Sequence, residues 1–356
     1  MSLRVLALTR YDDLGSSSRV RVLQYRPHLA KRGITVEVQP LFSNESLQRL
    51  YRDGRRSKMD LVAALMQRLD AVTRKSRADV VWLQQELFPY LPAGLETTLL
   101  AGCPYVIDFD DAQQLYYQAH RSATVQRLYG DKIARLMRAA AAVVVGSDSQ
   151  GAYAREAGAK AVHLVYSAVD TERFAQAAAQ PLPTPFRVGW IGTPMTAEQS
   201  LHILREPLKR FLAETDASAT FMGMDAPQLP DLPGTRVPWR EAAEPEFMAG
   251  ISVGLCPLDD SPWTRGKSGY KIIQYMSAGR AALTSPVGIA AQIVRAGETG
   301  LHCRTGDDWY NGLMSLYRNP AQCAAFGAAA RNDAVKIYDT RIAANALCDI
   351  LTDARS

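Results

Sequence analysis

The residues best suited to chemistry in this chain stand between Trp263 and Gly288, in the run WTRGKSGYKIIQYMSAGRAALTSPVG. Read as a helix over Lys267–Ala278, this run brings positions 267, 271 and 274 within roughly 60° of one another. Ile272, Ile273 and Met276 then take the opposite face and pack into the core, and Gly279 stops the helix. The polar face presents Lys267, Lys271 and Gln274 beside the helix N-terminus, with Arg265 just before it. Two ammonium groups, a guanidinium and the positive end of a helix dipole make a site for a diphosphate. The plainer alternative is an amphipathic surface helix whose lysines are solvated.

A second candidate is acidic. Tyr105–Ala112 reads YVIDFDDA, an apolar strand ending in three carboxylates. Strand alternation sends Asp108 and Asp110 to the same side and leaves Asp111 on the loop. Carboxylates this close raise one another's pKa unless a cation or hydroxyl groups are near. Three readings stand: solvated loop acids, a metal site, or acids that bind hydroxyls. Gly15-Ser16-Ser17-Ser18 is a small-residue turn between a strand and a helix, where backbone N–H groups can approach an anionic or carbohydrate ligand. It is not GxGxxG, and no acid ends the second strand, which disfavours a dinucleotide site. Ser147, in GSDS after another strand, either caps the next helix or faces a ligand. The five histidines (28, 120, 163, 202, 302) are scattered and read as structural.

These residues need strands and helices to hold them. A chain of 356 residues suits two α/β domains of roughly 150–180 residues each. Strands are predicted at Leu3–Leu8, Thr35–Val38, Val80–Leu83, Tyr105–Ile107, Val143–Val145 and Val162–Val165. A second series follows at Arg187–Ile191, Ala219–Met222, Ser252–Cys256, Ala281–Thr284 and Leu301–Cys303. Helical patterns between them give βαβ units and parallel sheets. One helix is expected from about Ser18, kinked at Pro27 and stopped at Gly33. Others should fill Ala197–Ala213, Asp307–Tyr317, Pro320–Lys336 and Thr340–Asp353. The Ala/Pro-rich stretch Phe174–Phe186 is the expected linker. The domains are therefore drawn at 1–173 and 187–339, with a terminal helix, 340–356, free to cross back to the first. Two doubly wound halves place ligands at the carboxyl ends of their strands, hence in a cleft between them.

Composition excludes several classes. No apolar run reaches the roughly 18 residues needed to span a bilayer, and the start runs straight into Leu3–Leu8, which predicts no signal peptide. Five cysteines, at 103, 256, 303, 323 and 348, lack metal-ligand spacing and read as reduced thiols of a cytoplasmic protein. The net charge of +5 is concentrated in the first half: residues 1–180 hold 24 Lys+Arg against 18 Asp+Glu. Much of it lies in Arg49–Arg77, with nine basic and three acidic residues around a Leu61, Leu65, Leu69, Val72 stripe. The favoured reading packs that stripe on the domain and solvates the cations; the other lays a basic amphipathic helix on an anionic membrane. No nucleic-acid-binding module is recognisable.

Several segments in order resemble the retaining GT-B glycosyltransferases of family 4. Pro257–Gly288 is similar to their donor-binding segment, closest to the bacterial surface-polysaccharide branch. Gly15-Ser16-Ser17-Ser18-Arg19 with Val22–Tyr25, YVIDFDDA, Ala168–Phe174 (AVDTERF) and Val188–Thr193 (VGWIGT) agree in turn. The resemblance implies a GT-B architecture, two Rossmann-like domains facing across a cleft that closes about the linker. It implies transfer of a hexosyl or deoxyhexosyl unit from a nucleoside-diphosphate sugar to a saccharide or lipid-linked saccharide in cell-surface glycan synthesis. The nucleotide-sugar is then a substrate, no cofactor or metal is expected, and the leaving phosphate oxygen helps deprotonate the acceptor.

Residues and resemblance together place Gly15, Ser16, Gly192, Thr193, Lys267, Lys271, Gln274, Val287 and Gly288 about the donor. Ser17, Arg19, Asp108 and Ser147 fall to the acceptor. Asp110, Asp111, Arg265 and Lys271 are the expected catalytic residues, the acids binding sugar hydroxyls and the cations stabilising the departing diphosphate. Two departures stand out. Gly266 and Gln274 occupy positions where the family carries glutamates, the second of which contacts the nucleotide ribose. Glutamine offers one acceptor oxygen and a donor where a carboxylate accepts from both hydroxyls, so a dTDP-sugar is more tolerable here. The Arg and Lys usual after the second domain's first strand are replaced by Gly192–Thr196. The rival readings are a non-catalytic nucleotide-sugar-binding protein and a sugar-nucleotide epimerase. A place at the inner face of the membrane follows if the basic segment touches lipid.

Overall fold

The computed structural model describes residues 2–224, 229 and 231–355. They divide into two compact units, one formed by the chain up to Ser167 with Thr340 onward, the other by Ala168–Asp339.

The first unit holds a parallel sheet of β1 (Leu3–Tyr11), β2 (Ile34–Phe42), β3 (Val80–Gln84), β4 (Tyr105–Phe109), β5 (Ala142–Val145) and β6 (Val162–Leu164). The spatial order is β2-β1-β3-β4-β5-β6. β3, β4 and β5 are apolar and buried nearly throughout, as expected of strands covered on both faces. β2 runs past its predicted end because Pro40, opposite Thr9, sits on an edge strand where a missing N–H costs little. Pro27 does not kink one helix but starts another: Ser16–Arg21 ends, a 3₁₀ turn follows at Leu23–Tyr25, and Arg26–Lys31 begins with the proline in its first turn. The terminal helix Thr340–Asp353 packs on Arg26–Lys31.

The second unit holds β7 (Arg187–Ile191), β8 (Ser218–Met222), β9 (Thr235–Val237), β10 (Val253–Cys256), β11 (Ala281–Thr284) and β12 (Gly300–His302), in the order β12-β11-β10-β7-β8-β9. β9 escaped the sequence reading because three residues, half exposed, carry no apolar period. Trp190, Phe221 and Leu283 from the sheet pack with Leu201, Leu208, Trp309 and Leu313 from the helices. The expected linker is instead part of this unit. Ala177 and Phe186 are buried, and the Arg280 guanidinium donates to the carbonyls of Ala177 and Gln180. The chain passes between units at 167–168 and again at 339–340.

Candidate functional site

In each sheet the chain first runs outward one way and then returns to run the other way. That reversal opens a crevice at the carboxyl ends of two neighbouring strands. In the second unit the reversal lies between β7 and β10, and Tyr275 closes its floor. The Tyr275 hydroxyl accepts from the Ile191 amide at 3.2 Å and donates to the Leu255 carbonyl at 3.1 Å, tying the two strand ends together. Gly254 makes this possible, since a Cβ there would stand 2.2 Å from the Tyr275 ring.

The helix that carries Tyr275 is shorter than expected. Gly269, at φ 69°, turns the chain, and the helix spans Tyr270–Ser277. Lys267 therefore stands in the preceding loop, not on the helix face. Ile272, Ile273 and Met276 are buried as predicted, and so is Gln274, which the helical wheel had put outside. Its Nε2 has no hydrogen-bond partner among the described residues. Lys271 does lie between the ends of β7 and β10. Its ammonium lies 4.2 Å from the centroid of the Trp190 ring on β7, a contact worth about 0.5–2 kcal/mol. Burial, with Lys267 adding repulsion, pulls its pKa down to about 8. The same ammonium acts on the Cys256 thiol at the end of β10, opposing the rise that burial causes there. No carboxylate among the described residues pairs with Lys271 or Lys267.

The other expected donor residues fare differently. Arg265 is exposed and engaged by Asp260, Nε–Oδ1 2.6 Å and Nη2–Oδ2 3.0 Å, so the expected partnership with the two lysines is replaced by an ion pair. The Gly192 amide donates to the Met222 carbonyl, and the Thr193 amide donates to Thr196 Oγ1 within a capping box. Both amides are used inside the protein, which removes them as phosphate donors. Val287 is buried, and Gly288 (φ 54°) lies against the Arg265 backbone.

In the first unit the reversal lies between β1 and β3, and Ser17, Ser18, Gln84, Gln85, Arg10 and Asp110 are tied to one another there. Ser17 Oγ donates to Asp110, and Gln85 Nε2 donates to the other carboxylate oxygen at 3.4 Å. Gln84 receives the Arg10 amide and the Ser18 hydroxyl on Oε1 and donates to Ser17 from Nε2. Arg10 reaches Gln85 and Glu86. Behind them Glu86 accepts from Tyr117 at 2.6 Å and pairs with Lys132 at 2.7 Å, and Lys132 also pairs with Glu96. This buried lattice holds Gln85 in a left-handed backbone conformation, φ 67°, which a non-glycine residue adopts at a cost of about 1–3 kcal/mol. Burial pushes the Tyr11 phenol up, but Arg10 and Arg56 outweigh it and hold it below its ordinary value.

Asp108 departs from expectation. It is fully buried and gripped by Arg21, 2.7 Å from Nε and 3.3 Å from Nη2, so it is a structural ion pair, not a free hydroxyl binder. Asp110 and Ser17 come together; Asp111 stands beside them on the loop, partly exposed. Gly15 caps the helix Ser16–Arg21 without a side chain, Ser16 is exposed, and Arg19 donates to the Asp13 carbonyl at 2.9 Å. Ser147 sits at the cap position of the helix Asp148–Glu156, buried and 3.2 Å from Ser149. Gln84, Gln85, Arg10 and Tyr275 were not singled out from the sequence. The polar run QQE directly after an apolar strand was the available signal for the first two.

Two successive doubly wound parallel sheets, each with its polar groups gathered at a reversal point, define a GT-B fold. Residues 3–169 match the family model of the glycosyl transferase 4-like domain. Among solved structures, Anabaena HepE in complex with UDP and glucose aligns over 98% of this chain and 99% of its own at 16% identity, TM-score 0.69. Sucrose-phosphate synthase from Thermosynechococcus elongatus aligns over 97% of both chains at 16% identity, TM-score 0.69. An α,α-trehalose-phosphate synthase (UDP-forming) from Burkholderia vietnamiensis covers 100% of this chain and 98% of its own at 11% identity, TM-score 0.66. These are likenesses of fold. No curated protein sequence matches the chain.

Proposed function

We propose that the chain is a retaining glycosyltransferase that takes a sugar from a nucleoside-diphosphate donor to a saccharide or lipid-linked saccharide in cell-surface glycan synthesis. The observation that carries this reading is the ammonium of Lys271, partly buried at the β7–β10 reversal with Lys267 near and no carboxylate among the described residues to neutralise either. An uncompensated cation in such a place is costly until an anion completes it, and a diphosphate does so. The glycosyl transferase 4-like match and the UDP held by HepE support the class of donor.

In this reading the second unit binds the donor, and Lys271 and Lys267 stabilise the charge that grows on the departing diphosphate. The chemistry draws on these side chains and assigns no metal. The first unit binds the acceptor, whose hydroxyls meet Asp110 and the Ser17 and Gln85 groups that orient it. Ordered hydrogen-bonding groups of this kind position a hydroxyl without rearranging during the reaction. The buried Gln274, with Nε2 unpartnered, is proposed to tolerate a deoxyribose, which makes a dTDP-sugar a candidate beside a UDP-sugar.

Calorimetric titration with UDP, dTDP and GDP tests the reading. At least one should bind, and Gln274→Glu should shift preference toward the ribonucleotide by about tenfold, the worth of one hydrogen bond to a charged group. Failure of all three to bind would overturn the donor site; a strong UDP preference in the unaltered protein would end the dTDP option.

A further inference from the structure

Among the described non-glycine residues only Gln85 and Tyr90 have a left-handed backbone, at φ 67° and 60°. They stand at the two ends of one loop after β3, and the same buried lattice holds both. The Glu96 carboxylate accepts from the Leu87 and Phe88 amides at 2.8 and 3.2 Å, and Lys132 donates to the Phe88 carbonyl at 2.6 Å. The Tyr90 amide donates to the Tyr117 hydroxyl at 3.1 Å. Backbone strain held in place by its surroundings clusters at active sites and ligand clamps. Gln85 fits that rule, since it meets Asp110. Tyr90, by contrast, turns its side chain outward, 54% exposed. The Tyr117, His120 and Tyr129 rings stand at 80–86° to its ring, with centroids 5.7–6.2 Å away. Backbone and ring are thus both fixed before any partner arrives.

A rigid, half-exposed aromatic ring offers a broad contact area at little cost in side-chain freedom. Its face carries partial negative charge, and a sugar ring presents to such a face its C–H bonds, with hydroxyls around the edge. Tyr116 supplies a second ring, 51% exposed, on the helix Leu115–Gln118. That helix joins the two ends of the loop. Its Tyr117 holds Tyr90, while the Tyr116 phenol lies close enough to Arg10, Asp110 and Asp111 for their charges to act on it. Five residues of chain span at most about 18 Å, so Tyr90 lies within that distance of Gln85 at the β1–β3 crevice. We propose that Tyr116 and Tyr90 are stacking subsites for a saccharide chain that leaves the crevice past Asp110. The acceptor is then recognised over several sugar rings, as an oligosaccharide, and not as a single sugar. That this saccharide is the acceptor rests on the function proposed above; the two aromatic subsites do not.

The test is saturation-transfer NMR on the whole protein with tetrasaccharides of glucose, galactose, mannose, rhamnose and N-acetylglucosamine, each against its monosaccharide. At least one tetrasaccharide should bind about tenfold tighter than its monosaccharide, with saturation reaching the internal rings. Tyr90→Gly should remove that advantage, and Tyr116→Ala should reduce it about fivefold. Tyr90→Phe and Tyr90→Trp keep a stacking face and should retain it. Glycine suits a φ of 60°, so Tyr90→Gly should melt no lower than the unaltered protein. A lower melting temperature in that variant would make the ring a structural residue and overturn the proposal. So would equal binding of mono- and tetrasaccharides, or tetrasaccharide binding indifferent to Tyr90→Gly. Nucleotide titration separates this proposal from the one it rests on. Binding of UDP or dTDP without the tetrasaccharide advantage removes the subsites and leaves the donor site standing; the advantage without nucleotide binding does the reverse.

Discussion

The two reversal points share a topology and differ in how their polar groups are satisfied. Between β1 and β3, Ser17, Gln84, Gln85, Arg10 and Asp110 bond to one another, and Glu86, Lys132 and Glu96 brace them from behind. Between β7 and β10, Lys271 rests on an aromatic face with no counter-charge among the described residues, and the Gln274 amide leaves a donor unused among them. A network closed on itself is rigid at rest and suits a neutral polyol that trades one hydrogen bond for another. An unclosed cationic site has its compensation supplied from outside. The same fold thus presents a closed polar network in one unit and, on the function proposed above, a cationic site that a donor anion completes in the other.

Removing Lys271 should break the contrast most sharply. Lys271→Met is expected to lower nucleoside-diphosphate affinity about a hundredfold, the upper worth of a charge-assisted hydrogen bond. Sugar transfer should fall by about 10²–10³. The ligand-free protein should melt no lower than the original, because the side chain removed is an uncompensated cation. Loss of binding together with a lower melting temperature would mean that Lys271 is a structural residue. Asp110→Asn probes the closed network. It should reduce kcat/KM for the acceptor about tenfold to a hundredfold while leaving donor affinity within about twofold. Donor binding lost in that variant would erase the distinction between the two sites.

What the sequence made legible follows from the reach of the interactions involved. Eleven of the twelve strands among the described residues and their parallel pairing came from apolar runs, because a strand covered on both faces has little freedom of composition. The Lys271 position was legible from helical spacing, and the Asp110 position from its place at a strand end. The partners were not. That Arg21 grips Asp108 across 87 residues, or that Asp260 takes Arg265, depends on packing that no local pattern encodes. The turn at Gly269 moved Lys267 off the helix, and in Lys58–Thr73 only Val72 of the expected stripe packs, with Arg68 inward and Leu61, Leu65 and Leu69 exposed. In that helix the small Ala64 and Ala71 approach the sheet closely where leucines would not, and their burial outweighed the apolar stripe.

The gentlest test of the contrast is the pH dependence of donor binding. Lys271 titrates at about 8, below an ordinary lysine, because burial and then Lys267 penalise its charged form. A diphosphate favours the charged form, so the bound complex must hold that proton to higher pH than the free protein does. Below about pH 8 the lysine is charged in both states and contributes no slope. Above it, binding takes up a proton, and affinity should fall by at most tenfold per pH unit until the pKa of the complex is passed. Titration calorimetry at pH 8.5 in two buffers of different ionisation enthalpy reads this uptake directly, and Lys271→Met should abolish it. The ligand-free protein supplies the matching sign. With its folded-state pKa depressed, Lys271 penalises the fold most below pH 8, and that penalty is relieved as pH rises toward the ordinary lysine value of 10.5. Donor affinity and intrinsic stability should therefore move in opposite directions across this window, which is the behaviour of a cation placed for a ligand and not for the fold.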